Sequence, residues 1–164
     1  MSALDDHSQK YLALVYRYLT IRNRSEKEIR DYLTKKQAEP PVIETLIALL
    51  YEQKFLNDET FARMWVKSRA NVKPRGKRML FMELQQKGIA KELIEKILNE
   101  DNKEIPDELA QAKSIIKKRI EKVKDSPRQE IYNKVGAFLA RRGFGWDIIK
   151  KAIDETLKDT GSTE

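Results

Sequence analysis

Six basic side chains in the middle of the chain are the strongest chemical signal in the sequence. No acidic residue interrupts them, and they are Lys67, Arg69, Lys73, Arg75, Lys77 and Arg78. Residues 63–96 contain ten basic and three acidic residues, a net charge of +7, whereas the net charges of the two flanking parts are close to zero. Such a block attracts a polyanion or the acidic face of a protein. The alternative interpretation is a solvated helix end and loop.

Residues for catalysis are scarce. The chain has no cysteine and a single histidine, His7, which excludes disulfides, thiolate metal sites and most catalytic triads. No glycine-rich phosphate loop is present, and no apolar run approaches the roughly 20 residues of a membrane span. The first residues lack a signal-peptide layout. The sequence therefore predicts a cytoplasmic protein that is not an enzyme and needs no metal or other cofactor.

Proline and glycine divide the chain into nine helix-length segments, and no useful strand-like alternation occurs. The segments Ser25-Glu26-Lys27-Glu28 and Ser126-Pro127-Arg128-Gln129 predict capping boxes at the starts of the second and eighth helices. Gly88 and Gly143 are predicted to end helices in a left-handed conformation. The expected fold class is all-α.

The nine segments align in three copies when Leu33, Leu84 and Leu139 are superposed. Four positions earlier stand Ile29, Leu80 and Val135, and apolar pairs recur nine to ten and thirteen to fourteen positions later without a gap. This pattern predicts three tandem three-helix repeats. Because each copy is too small to bury its apolar stripes alone, we expect an elongated, curved array. The predicted boundaries are 8–56, 57–99 (the basic copy) and 106–158, with flexible termini at 1–7 and 159–164.

Three motifs occur in an order and spacing that resemble a known family. They are Lys54-Phe55-Leu56-Asn57-Asp58-Glu59-Thr60-Phe61-Ala62, then Gly76 with Glu83-Leu84-Gln85-Gln86-Lys87-Gly88-Ile89, and finally Arg141-Arg142-Gly143-Phe144. Over residues 10–157 the chain resembles the RecX regulatory proteins, bacterial modulators of the RecA recombinase. It differs in having Lys54 where a glycine is usual and Lys77 where a proline is common, which affects the expected turn geometry.

The resemblance implies a tandem array of three-helix units that binds in the groove of the RecA recombinase–DNA filament. The chain is expected to be a monomer, because the repeats contact mainly their sequence neighbours. The resemblance also implies inhibition of ATP hydrolysis, strand exchange and filament growth in DNA recombination and repair, without a catalytic residue or a cofactor. The predicted partner-binding residues are the six central cations together with Lys87, Arg141 and Arg142. The rival interpretation is a helical protein that binds DNA or RNA directly with weak specificity, since helix-turn-helix readers also use basic three-helix units. Direct contact with single- or double-stranded DNA is compatible with both interpretations.

Two features leave alternatives open at this point. Met79, Phe81 and Met82 are apolar beyond the needs of the repeat, so they form either a partner face or a packing surface, for example against Trp65. The seventh helix carries six basic residues opposite an apolar stripe, which indicates a second basic face, a membrane-surface helix or a solvated surface.

Overall fold

The computed structural model describes residues 5–100 and 107–161, and in this part of the chain all regular structure is helical. The helices are α1 (Asp6–Leu19), α2 (Glu26–Lys35), α3 (Pro40–Glu52), α4 (Asp58–Val72), α5 (Lys77–Gln86), α6 (Lys91–Asn99), α7 (Glu108–Val123), α8 (Arg128–Ile131), the π-helical turn π1 (Tyr132–Gly136), α9 (Ala137–Arg141) and α10 (Trp146–Gly161). Since α8, π1 and α9 are continuous, the described residues form nine helical segments. The predicted all-α class with nine helices is confirmed.

The three-copy pattern coincides with the pattern of burial. The superposed leucines, Leu33, Leu84 and Leu139, are all fully buried. The positions four residues earlier are buried in every copy, as is the position five residues later, where Ala38, Ile89 and Phe144 stand. Equivalent positions therefore have the same structural role in each copy: their apolar side chains pack into a core.

Each copy also ends its second helix with the same hydrogen bond. The amides of Ala38, Ile89 and Phe144 donate to the carbonyls of Leu33, Leu84 and Leu139 at 3.1, 3.1 and 3.2 Å, the six-to-one bond of a Schellman motif. The residue before each donor is left-handed, with φ of 63° at Gln37, 79° at Gly88 and 86° at Gly143. The predicted left-handed glycine stops are confirmed.

A fourth left-handed residue is Lys54, with φ of 60°, at the position where the RecX motif usually has glycine. The Phe55 amide donates to the Leu50 carbonyl at 2.9 Å, so the same six-to-one closure ends α3. The turn therefore keeps the glycine-type backbone and accepts the cost of a side chain there, on the order of 1 kcal/mol.

One of the two predicted capping boxes is confirmed and the other is wrong. The Ser25 hydroxyl accepts from the Glu28 amide at 3.2 Å, and the Glu28 carboxylate accepts in return from the Ser25 amide. At α8 the N-cap is Pro127, and it makes no side-chain capping bond. Pro127 is extended, with ψ of 138°, so the helix begins one residue later than the Ser126 hydroxyl could serve.

The described chain forms two compact units. Unit 1 comprises Met1–Met64 and Leu84–Ile94, and unit 2 comprises Trp65–Glu83 and Glu95–Glu164. The apolar cluster of unit 1 joins α1, α2 and α3 and includes Val15, Ile29, Leu33, Leu46 and Leu50. The cluster of unit 2 joins α7 to α10 and includes Ile116, Ile120, Val135, Leu139 and Ile153. The predicted repeat boundaries are a different division of the chain and stay a prediction.

Parts of the predicted flexible termini, 1–4 and 162–164, lie outside the described residues, as do residues 101–106 between the second and third predicted repeats. Residues 6 and 7 belong to α1, and residues 159–161 belong to α10. No helix in the described ranges is both long enough and apolar enough to cross a membrane.

Candidate partner-binding surface

The six central cations lie at the end of α4, in the loop that follows it, and at the start of α5. All six belong to unit 2. Four of them are exposed, namely Lys67, Lys73, Lys77 and Arg78. The other two, Arg69 and Arg75, are half-buried, and their different contacts give them different roles.

Glu83 on α5 is the carboxylate nearest to these two arginines. Its Oε2 accepts from the Trp65 indole N–H and from Nε of Arg69, both at 2.8 Å. The Arg69 guanidinium also lies 4.7 Å from the centre of the Trp65 ring. Arg69 is therefore held in an ion pair and a cation–π contact that fasten α4 to α5. This cation stabilises the surface more than it offers charge to a partner.

Arg75 is less well compensated, because Oε2 of Glu83 is already occupied. Its Nε lies 3.9 Å from Oε1 of Glu83, at the limit of an ion pair, and this buried nitrogen has no hydrogen-bond partner among the described residues. The neighbouring Gly76 fixes the local backbone, since its amide donates to the Arg142 carbonyl at 2.9 Å. A Cβ at Gly76 would lie 2.3 Å from the Gly143 carbonyl, so only glycine fits at this approach.

Two further positive charges, on Arg142 and Arg119, belong to the surroundings of Arg75. Nη1 of Arg142 donates to the Pro74 carbonyl at 3.4 Å, and the Arg142 guanidinium lies 4.7 Å from the centre of the Phe138 ring. The Arg119 guanidinium lies 3.9 Å from the centre of the same ring. Arg119 and Arg142 thus share one aromatic ring, and the charges of Arg75 and Arg119 both act on Arg142, so we call these three residues the arginine cluster.

The arginine cluster has little balancing negative charge. Arg75 lies at the limit of an ion pair with Glu83, and no carboxylate of the described residues forms a salt bridge with Arg119 or Arg142. Burial lowers the pKa of Arg142, and the positive charges of Arg75 and Arg119 lower it further. Like charges held together with so little counter-charge are the arrangement expected of a site that receives an anion.

The chemistry available here is binding of oxyanions. Guanidinium groups present planar forks of N–H donors that match phosphate and carboxylate oxygens. Charge of this kind reads no base sequence unless a side chain reaches a base edge. The exposed lysines on the same unit extend the positive surface, and Arg141, which is exposed and next to Arg142, adds to it.

Lys87 belongs elsewhere. It lies in unit 1, where its Nζ donates to Oε1 of Glu28 at 2.6 Å. Arg22 contacts the same carboxylate in a bidentate pair. Burial alone would raise the pKa of Glu28, but the hydrogen bonds from Arg22 and Lys87 outweigh it and lower the pKa to about 2. Eight of the nine predicted cations therefore share unit 2, whereas Lys87 is neutralised within unit 1.

Arg119 is the member of the cluster that the sequence did not single out. On α7 it is one of several cations, and Lys113 among these is paired with Glu155 and Asp159. What distinguishes Arg119 is its contact with a ring on α9, and no local pattern signals such a contact. The apolar residues beyond the needs of the repeat differ in their exposure. Met82 is 46% exposed, whereas Met79 is half-buried against Gly143.

Comparison with known families identifies the three copies. Residues 12–50 match the model of the first three-helix domain of RecX, residues 57–98 match the second, and residues 106–153 match the third. The matches run in the same order along the chain as the domains of that family.

Curated relatives and solved structures agree with this assignment. The chain is 35% identical over 138 residues to the regulatory protein RecX of Bacillus subtilis (strain 168), and 31% identical over 156 residues to that of Listeria monocytogenes. These alignments cover 84% and 94% of this chain but 52% and 56% of the relatives, so the chain spans about half of their length. The crystal structure of RecX from Lactobacillus salivarius has the same fold, with a TM-score of 0.81 at 24% identity over 93% of this chain and 98% of that one.

Proposed function

Because this chain belongs to the RecX family, we propose that it regulates a RecA recombinase by binding the recombinase–DNA filament, without catalysing a reaction itself. The observation that carries the proposal is the positive surface of unit 2, where the arginine cluster has one marginal ion pair, to Glu83, and exposed lysines lie at the end of α4, in the following loop and at the start of α5. A recombinase–DNA filament contains both carboxylates and phosphates, and both are oxyanions of the kind that guanidinium forks bind.

The proposed action is occupancy of the filament groove. A bound chain would hinder the changes that accompany ATP hydrolysis, strand exchange and the addition of new recombinase subunits, and all three would fall together. Since the proposed contact is electrostatic, affinity would decrease as salt concentration rises. The chain would act as a monomer in the cytoplasm, where the filament forms.

The rival function is binding to nucleic acid alone. The cations described above read charge, so they would hold DNA or RNA without regard to sequence. A protein of that kind would bind bare single-stranded DNA as tightly as the recombinase–DNA filament. Comparing the two affinities under one set of salt conditions therefore separates the regulator from a general nucleic-acid binder.

The decisive variant reverses the three exposed cations of the loop and of the start of α5, as Lys73→Glu, Lys77→Glu and Arg78→Glu. Exposed charges contribute little to stability, so the protein keeps its helical circular dichroism. Filament affinity, measured by fluorescence anisotropy with ATP present, falls about 100-fold, because the local charge changes by six units. Inhibition of recombinase ATP hydrolysis is lost in parallel.

The matched control makes the same change of charge in unit 1, as Lys10→Glu, Arg17→Glu and Lys35→Glu, at three exposed positions. This variant retains most of its filament affinity. The proposal is wrong if both triple variants lose affinity equally, since net charge alone would then explain binding. It is also wrong if the unit 2 variant is folded and still inhibits as wild type does.

A further inference from the structure

Trp146, the first residue of α10, has 60% of its surface exposed, although tryptophan is among the side chains that gain most from burial. One edge of its ring lies against the π-helical turn, 3.9 Å from the position that a Cβ would take on Gly136. The rest of the ring borders a groove of about 410 Å³. The groove is lined by Arg128, Gln129, Tyr132, Trp146 and Lys150.

Two helical segments contribute matching pairs to this groove. Arg128 and Tyr132 are four residues apart on α8 and π1, and Trp146 and Lys150 are four residues apart on α10, so each pair shares one face of its helix. The two rings meet with their centres 6.1 Å apart at an angle of 46°. The groove therefore combines an aromatic surface with two cations, and neither pair belongs to the arginine cluster.

Asp154 holds one aromatic residue and one cation of the groove. Its Oδ1 accepts from both the Tyr132 hydroxyl and the Arg128 guanidinium, and it lies two helical turns after Trp146 on α10. The hydrogen bond from Tyr132 lowers the pKa of Asp154, and the positive charges of Arg128 and Lys150 lower it further, so this carboxylate lies near both cations. The Arg128 guanidinium also lies 5.8 Å from the centre of the Tyr132 ring. One helical turn, about 5.4 Å, separates Trp146 from Lys150 along the axis. We call Trp146 and Tyr132 the aromatic end of the groove, and Arg128 and Lys150 its cationic end.

The aromatic end keeps its character at physiological pH. Burial and the hydrogen bond to Asp154 raise the pKa of Tyr132, so its hydroxyl remains a proton donor and its ring stays neutral. Arg128 is 70% exposed at its side chain, and the bond to Asp154 uses only part of its five-donor fork. N–H groups of Arg128 and the Lys150 ammonium are therefore available to a ligand.

We propose that this groove binds one unpaired nucleobase of a single-stranded nucleic acid, with the base stacked on Trp146 and the adjoining phosphate between Arg128 and Lys150. An exposed ring beside cations is the combination that single-strand binders use, because every base has a face that stacks and every nucleotide has a phosphate. An acidic peptide would use the cations and leave the indole in water. A paired base would be hidden within the duplex.

The chain offers a direct optical test, since Trp65 and Trp146 are its two tryptophans. In the variant Trp65→Phe the fluorescence comes from Trp146, and titration with oligothymidylate quenches it in a saturable manner. In the variant Trp146→Phe the signal comes from Trp65, whose indole N–H is bound to Glu83, and the same titration leaves it nearly unchanged. Trp146→Ala binds oligothymidylate about tenfold more weakly than wild type.

Three competitors of similar charge identify the ligand. An abasic oligonucleotide of the same length and a blunt duplex both bind with little quenching of Trp146, and polyglutamate does the same. Quenching by polyglutamate equal to that by oligothymidylate would overturn the proposal in favour of an acidic peptide. Equal affinity of Trp146→Ala and wild type for oligothymidylate would overturn it as well.

The cationic end has a matched pair of variants on neighbouring residues. Lys150→Glu removes a groove cation, and Lys151→Glu makes the same change of charge about 100° around the helix, outside the groove lining. Lys150→Glu weakens binding of oligothymidylate several-fold more than Lys151→Glu does. Equal effects would show that general charge attracts the strand and would refute a phosphate position in this groove.

Discussion

Lys87-Gly88 in unit 1 and Arg142-Gly143 in unit 2 occupy equivalent places in the second and third copies of the repeat. Both glycines are left-handed, and both turns close with the same six-to-one hydrogen bond. The electrostatic surroundings are opposite. Lys87 shares a carboxylate with Arg22, whereas Arg142 faces two further arginines and no acid among the described residues.

The contrast shows that the repeat fixes where a basic side chain starts but not what it does. The position of the cation follows from the helix stop, which depends on neighbouring residues in the sequence. Its role depends on charges supplied by distant segments, Glu28 on α2 for Lys87, and Arg75 and Arg119 for Arg142. One cation stabilises its own unit, and the other remains available to a partner.

The largest expected effect is the loss of stability when each of the two glycines is replaced by alanine. A Cβ at Gly143 would lie 2.5 Å from the backbone nitrogen of Met79, whereas a Cβ at Gly88 would lie 2.6 Å from the Cβ of Lys27. Both contacts are too short, but the contact at Gly143 involves the backbone itself, so Gly143→Ala should lower the free energy of unfolding by about 3 kcal/mol and Gly88→Ala by about 2 kcal/mol. Urea unfolding followed by circular dichroism measures both, and equal losses would contradict the contrast.

The next effect concerns the neutralised cation and its carboxylate. Glu28→Gln removes the charge that Arg22 and Lys87 share, and we expect a loss of about 2 kcal/mol in the free energy of unfolding at neutral pH. Filament affinity should not change, because the positive surface of unit 2 is untouched. A Glu28→Gln protein of normal stability with weakened binding would place the functional cation in unit 1.

The lowered pKa of Glu28 makes the free energy of unfolding depend on pH, and this free energy should decrease as the pH falls. The pKa is lowered from an ordinary value of 4.5 to about 2 in the folded protein. The stabilisation is therefore complete above pH 4.5 and is lost as the pH falls from 4.5 toward 2. Glu28→Gln lacks this contribution, so its unfolding free energy should vary less than that of wild type over this interval.

The smallest effect compares the two cations by one conservative change. Arg142→Gln should weaken filament binding about fivefold, since one member of the arginine cluster is lost while a polar side chain remains. Lys87→Gln should leave affinity within twofold of wild type. Anisotropy titrations at equal salt give both values, and a larger loss for Lys87→Gln would reverse the assignment of roles.

Local signals in the sequence were sufficient for the elements and for their stops. The superposed leucines, the glycines with positive φ and the Ser25 capping box depend on residues within one or two turns, and all three predictions are confirmed. The prediction of a capping box at Ser126 is wrong because an extended Pro127 separates the serine from the first turn, although the residue types match the capping-box pattern.

The division of the nine predicted cations could not be read from the sequence. Whether a base is compensated depends on the fold that brings Glu28 to Lys87 and Arg119 to Phe138. The groove at Trp146 could not be predicted for a related reason, since its exposure and its neighbours depend on how α8 and α10 pack together. The roles of these residues in binding stay predictions.

The π-helical turn Tyr132–Gly136 changes the rotational setting of α8 relative to α9 about their common helix axis. An i→i+5 turn holds one residue more than a regular turn, and one residue corresponds to about 100° around the helix axis. Arg128, before this turn, contacts Asp154 on α10, while Leu139, after it, lies in the core. A single extra residue thus offsets the rotational setting of the groove-facing first turn from that of the core-facing last turn of one continuous helix.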